Sequence, residues 1–216
     1  MFNFSLLYVD ISFLASIFSL LFFFLVWRKR HVVGSKYLMW TAFAIFVYNL
    51  AYALDYSATT TEMKVLWSKL EYLSLYNIVP LLFVFIVEYF GILIDVKYRK
   101  FYLLWIIPAI IVLLTLTNEY HNLIWSGFGE IDPVTNLMVY HPGPLHGVGI
   151  IYQFLLVIVL LIILFQQWLK YRQRSFRFQI EIVAVAIVLP FIGVLFYSSD
   201  LRSEEHTSEL QSRQVI

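Results

Sequence analysis

Cysteine is absent from the 216 residues. That excludes disulfides and thiolate metal sites, and it leaves the redox state of the compartment unread. Charge is scarce too: 13% of the residues are charged, against roughly 25% in an ordinary soluble domain. No large charge excess of one sign exists to draw a nucleic acid, because the net charge is +1. What fills the space is apolar. Hydrophobic residues make up 61%, and mean hydropathy is +0.79. A soluble domain of this size cannot hide that excess, so the composition implies an all-α, polytopic membrane helix bundle with lipid as its first partner.

A helix needs about 20 apolar residues to cross a bilayer. Six segments meet or approach that length: Leu6–Trp27, Tyr37–Tyr56, Tyr72–Ile94, Phe101–Thr117, Val148–Trp168 and Ile180–Tyr197. They are expected to be helices, since an isolated strand would leave its backbone groups unsatisfied in lipid. The first run has no basic stretch before it and no small-residue cleavage site after it, so it reads as a retained span rather than a signal peptide.

Basic residues sort by connection. Arg28, Lys29, Arg30 and Lys36 follow the first span; Lys97, Arg99 and Lys100 follow the third; Lys170, Arg172, Arg174 and Arg177 follow the fifth. Only Lys64 and Lys69 fall in or beside the other connections. Because basic residues favour the cytoplasmic side, the N-terminus is expected outside, with the first, third and fifth connections inside. Of the outer connections, Ser57–Leu66 carries "SATTT" and Glu62, a capped start to the third helix. Asn118–Gly147 holds Pro133, Pro142 and Pro144 but is rich in aromatic and aliphatic residues. Its "LIWSGF" and "NLMVYH" suit a small hairpin over the outer end.

Ionisable groups in lipid are expensive and mark function or inter-helix pairing. Lys69 and Glu71 lie two apart, hence on different faces of the third helix, and each could meet a partner such as Asp55 or Asp10. Asn77 sits near Pro80, whose missing N–H frees a carbonyl and tends to kink a helix; an inter-helix amide bond there is the plainer alternative to a cavity. Glu88, near the inner end, is expected to meet a basic residue of the inner loops. Asp10, Asn49, Asp55, Lys69, Glu71 and Gln153 all fall in the outer half, as a water-accessible cavity beneath the long loop would require. For Lys69 and Glu71, interfacial anchoring with inter-helix hydrogen bonding is the plainer alternative. His121, His141 and His146, with Glu119, Glu130 and Asp132, lack the regular spacing of a zinc site, and His121 is expected to bond locally in the turn after the fourth helix. No cofactor or metal motif is found.

Three stretches carry a resemblance: "WSKLEYLSLYNIVP" with "FVFIVEYFG"; "IIPAIIVLLTLTNEYHNLIW", which holds Thr117, Asn118, His121 and Trp125; and "YQFLLVIVLLIIL", followed by a basic turn and a span with Pro190. Their order resembles the N-terminal seven-helix transmembrane region of prokaryotic histidine kinases and related signalling proteins. The resemblance implies six of seven helices and a sensory role in a plasma membrane. It also implies a cytoplasmic output domain, through which the protein could dimerise. No phosphoacceptor box or ATP-binding glycine box is present, and His31 is followed by valines rather than an acidic residue. The stretch itself is therefore expected to have no catalytic activity. An unidentified small ligand, bound among Asp10, Asn49, Asp55, Lys69, Glu71, Asn77, Pro80, Glu88, His121 and Gln153, is the leading expectation. A small transporter or membrane-bound enzyme is the alternative. Past Leu201 the composition breaks. "RSEEHTSELQS" is the translation of a common DNA sequencing adapter, so 1–201 is expected to be native sequence and 202–216 adapter-derived.

Overall fold

The computed structural model describes residues 4–92, 98–133, 135–190 and 192. Six α-helices occur among them: α1 (Phe4–Arg28), α2 (Ser35–Ser57), α3 (Thr61–Tyr89), α4 (Ile106–Leu116), α5 (His146–Lys170) and α6 (174–190). Four helical stretches are long and apolar enough to cross a membrane: Val9–Arg28, Ser35–Ser57, Thr61–Tyr89 and His146–Lys170. The chain divides into two units, Met1–Leu156 and Val157–Ile216.

In the first unit, α2 packs against both α1 and α3. Its buried residues are small: Thr41, Ala42, Ala44, Ala51 and Ala53. In lipid, where burial of apolar surface does not drive helices together, small residues allow backbones to approach and gain dispersion contacts. α1 buries Ser12 and Ser16 and leaves Phe18 and Leu25 exposed, as suits a helix with acyl chains on most sides.

Three boundaries differ from those of the apolar spans. α3 starts at Thr61, ahead of the apolar span at Tyr72 and at the capped start that "SATTT" marked: Thr60 caps it by accepting from Met63 N–H at 3.4 Å. The connection from α2 is three residues, and Lys64 lies within the helix along with Lys69 and Glu71. Its far end closes at Tyr89 rather than Ile94. There Gly91 takes φ 60°, Ile92 N–H donates to the Val87 carbonyl at 3.1 Å, and Gly91 N–H to that of Glu88 at 3.0 Å; this is the glycine-terminated helix end that leaves fewest orphan carbonyls. The third difference is in the expected span Phe101–Thr117. A 3₁₀ stretch, Tyr98–Trp105, leads into the shorter α4. Pro108 has no N–H for the Leu104 carbonyl, and that carbonyl accepts instead from the Tyr152 hydroxyl of α5.

Pro80 is buried, and α3 runs through it without a break. One turn earlier on α3, Tyr76 meets Gly149 of α5, where a Cβ would come within 2.3 Å of the tyrosine hydroxyl. A larger residue there would have to displace the buried Tyr76 ring.

After α4, the chain forms the antiparallel hairpin β1 (Trp125–Ile131) and β2 (Met138–Pro142), with irregularities between Trp125 and Gly127 and between Phe128 and Ile131. The hairpin expected from "LIWSGF" and "NLMVYH" is present.

The second unit begins within α5, turns at 171–173 and continues as α6. α6 starts at 174, ahead of the expected Ile180; the rest of the expected span and all of 202–216 lie outside the described residues. Arg177 Nε donates to the carbonyls of Tyr171 (2.8 Å) and Trp168 (3.2 Å), and its guanidinium lies 4.4 Å from the Trp168 ring centre. Trp168 Nε1 donates to Glu181 at 2.9 Å. Together these contacts clasp the turn.

Candidate functional site

One face of α3 carries the site. Lys64, Ser68 and Glu71 follow the three-to-four-residue helical repeat, so all three turn the same way. Lys64 is 1% exposed, and its ammonium donates to the main-chain carbonyl of Asp55 at 2.7 Å. Glu71 lies within electrostatic range of both Asp55 and Lys64, and its Oε1 is sealed from solvent without a hydrogen-bond partner. A buried ammonium and two carboxylates are thus gathered where α2 ends and α3 begins. Separately, each would face a large desolvation cost.

The hairpin covers this cluster. Ser68 Oγ donates to the Tyr140 hydroxyl at 2.6 Å, and that hydroxyl donates to Asp55 Oδ1 at 3.3 Å. Burial pushes the Tyr140 phenol up, so it remains a protonated donor through the neutral range. Asn136, in the hairpin turn at φ 56°, donates to the carbonyls of Tyr56 (2.6 Å) and Ala58 (3.0 Å) at the end of α2.

A second set of contacts anchors the hairpin base. Asn118 is 2% exposed. Its Oδ1 accepts from Ile124 N–H (3.0 Å) and Trp125 N–H (3.1 Å), and its Nδ2 donates to the Trp125 carbonyl (2.9 Å). The side chain acts as a strand partner for a backbone that has none at this point. Thr117 Oγ1 and His121 Nε2 are 3.1 Å apart, and His121 Nδ1 accepts from Leu123 N–H at 3.1 Å, the local bonding expected of that histidine. Trp125, 1% exposed, packs edge-on to Tyr72 with ring centres 5.0 Å apart. The Thr-Asn-x-x-His-x-x-x-Trp spacing is therefore a built corner: each of its polar members serves the turn that delivers the tryptophan.

A family model described as the N-terminal 7TM region of histidine kinase matches residues 11–207. The chain belongs to that family. Comparison with curated proteins and with solved structures gave no match. Membership of the histidine-kinase 7TM region makes this a membrane part of a signalling family, with a sensory input role. No catalytic domain is detected in the chain.

Not all the sequence candidates join the cluster. Asp55 and Glu71 do. Lys69 does not reach Asp55 or Asp10; it forms an ion pair with Glu119 and donates to the Leu116 carbonyl at 3.2 Å, tying α3 to the end of α4. Asp10 is exposed on α1, and Asn49 is half-buried; among the described residues no hydrogen bond or ion pair joins either to the cluster. Asn77 accepts from Trp105 Nε1 at 2.8 Å, the inter-helix amide bond that was the plainer of its two readings. Gln153 is buried, with its amide 3.5 Å from the Leu75 carbonyl and its Oε1 without a partner. Glu88 lies within electrostatic range of Lys36, in the first turn of α2, and among the described residues no ion pair joins the two.

Lys64 and Ser68 were missed as site residues. Lys64 was counted among the charges of a connection. The signal that could have found it is its helical phase with Glu71, counted from the capped start that "SATTT" already marks.

Proposed function

We propose that the chain is the sensory input region of a membrane signalling protein of histidine-kinase type. The Asp55–Lys64–Glu71 cluster is its detector, and the hairpin is the element that moves. The distribution of basic residues supports an N-terminus outside and the hairpin on the extracellular face of a prokaryotic plasma membrane. Six spans of the family's seven lie within residues 1–201, and 202–216 are adapter-derived. A stimulus or small ligand reaching the outer end changes the balance between two packings of α2, α3 and the hairpin. The seventh helix passes that change to a cytoplasmic output domain, through which the protein dimerises. A signal needs contacts that differ between the two states.

The observation that carries this reading is the Tyr140 hydroxyl. It joins a surface hairpin directly to a half-buried carboxylate, so a change at either is felt at the other. The test begins with the reading frame of the source gene past position 201. A kinase or cyclase domain after a seventh helix is expected. In that full-length protein, Tyr140→Phe and Glu71→Gln should each shift the basal output. A stop codon soon after the seventh helix, or unchanged output in both variants, overturns the proposal.

A further inference from the structure

The turn between α5 and α6 carries more cations than its own chain pairs. Lys170, Arg172, Arg174 and Arg177 crowd there, and Glu181 is the one acidic residue of the sequence from 157 to 192. Glu181 is already engaged, accepting from Trp168 Nε1 at 2.9 Å. Arg177 is engaged as well. Its Nε serves the Tyr171 and Trp168 carbonyls, and its guanidinium covers the Trp168 ring. Lys170, Arg172 and Arg174 remain. All three are exposed, and among the described residues no hydrogen bond or ion pair holds them. Cations so close in the chain repel one another, and an anion set among them removes that repulsion.

The contacts that use up Arg177 and Glu181 also fix the shape of the turn. Tyr171 and Phe176 stack across it with ring centres 5.3 Å and planes 14° apart, and Phe165 stacks on Trp168. A turn braced in this way presents its cations already ordered, which lowers the cost of binding. Tryptophan and tyrosine rings settle at the headgroup level of a bilayer, where phosphate is the abundant anion, and guanidinium groups match phosphate oxygens with paired donors. Leu169 and Phe178, close to the three cations in the chain, are apolar and exposed. A soluble anion makes no use of them. A lipid does, because its acyl chains need apolar neighbours while its phosphate meets the cations.

We infer that the α5–α6 turn is a binding site for the headgroup of an anionic phospholipid. Arg172 and Arg174 hold its phosphate, Lys170 adds a third positive charge, and the Trp168–Arg177–Glu181 clasp keeps the turn in shape. The inference is independent of the sensory reading and adds a partner at a different place in the chain.

The test is thermal unfolding of the purified chain in nonionic detergent micelles doped with phosphatidylglycerol or, at equal mole fraction, phosphatidylcholine. Sodium phosphate against sodium chloride of equal ionic strength forms a third arm. A ligand that binds only the folded state raises the midpoint steadily with its concentration. Phosphatidylglycerol is expected to do so, and the other two are not. In Arg172→Gln combined with Arg174→Gln, the phosphatidylglycerol fraction giving half the maximal shift should rise several-fold. Arg28→Gln combined with Lys29→Gln removes two exposed cations of the first basic turn and should leave that fraction nearly unchanged. Glu181→Gln keeps an acceptor for Trp168 and deletes the local negative charge, so the fraction should fall. Trp168→Phe releases Glu181 to compete for the cations, so it should rise; these two variants decide if the double arginine variant fails to fold. Equal shifts with both lipids overturn the inference. So does an equal loss in the first-turn variant, which marks diffuse surface charge, and so does a phosphate shift as large as that of the lipid, which marks a site for soluble anions.

Discussion

At the scale of single residues, Asn118 shows how much one polar side chain can hold. It satisfies two backbone donors and one acceptor, all buried. Asn118→Ala leaves those groups without partners, and each buried orphan costs roughly 1–3 kcal/mol. Because local relaxation admits some water, the expected loss is about 3 kcal/mol in total, read as a lowered unfolding midpoint in detergent. Asn118→Asp keeps an oxygen for both N–H groups but sets a buried charged acceptor against the Trp125 carbonyl, so at neutral pH it should cost at least as much as Asn118→Ala. A loss at neutral pH clearly smaller than that of Asn118→Ala would mean that the shared acceptor alone carries the corner. The sequence showed this asparagine as part of a spaced motif but not its task. An asparagine that bonds backbone six and seven residues ahead cannot be told by spacing from one that caps a helix or faces water.

At the scale of elements, the length of the apolar runs marked which stretches are helical, and local chemistry set where they end. In the span that holds the site hydropathy climbs at Tyr72, but the helix begins about three turns earlier, at the Thr60 cap that "SATTT" marked, where the first-turn N–H groups find an oxygen. Those turns carry Lys64 and Ser68 on the face they share with Glu71. α4 shows the converse. Hydropathy continues from Phe101, yet Pro108 cannot supply the N–H that a regular helix needs. The ends of α3 and α4 are tied through Lys69 and Glu119. The Lys69 ammonium beside Glu119 holds its carboxyl below the ordinary glutamate value of 4.5. The folded value is thus depressed relative to the unfolded one. The tie is fully present above the ordinary value and is lost as pH falls through the depressed one. Glu119 is 55% exposed, so solvent screening keeps the contribution under about 1 kcal/mol. Lys69→Met should flatten the acid limb of a stability-against-pH curve below pH 4.5 by lowering the neutral plateau by under about 1 kcal/mol and leaving the acid end where it is. An acid limb of unchanged slope would show that the pair contributes nothing to the tie.

At the scale of the whole molecule, the absence of cysteine turns topology into a direct measurement. Eleven basic residues lie in the first, third and fifth connections, and none of the described outer turns matches that density. Moving a guanidinium or ammonium to the side away from the cytoplasm opposes the insertion bias, so the two ends of the bundle are not interchangeable. α3 leads from the capped turn at Thr60 to the glycine end at Gly91 along one uninterrupted helix long enough to cross a membrane, so the proposed topology sets the hairpin and the first basic turn in opposite compartments. Ser126→Cys in β1, which is exposed, should react in intact cells with a thiol reagent that cannot cross membranes. Lys29→Cys, in the first basic turn, should react only after the membrane is opened, and no native thiol competes with either. Labelling of both positions in intact cells would mean that the chain does not hold a single orientation. Labelling of position 29 alone would invert the bundle, place the Asp55–Lys64–Glu71 cluster beneath the cytoplasmic surface, and make its ligand an internal metabolite rather than an external one.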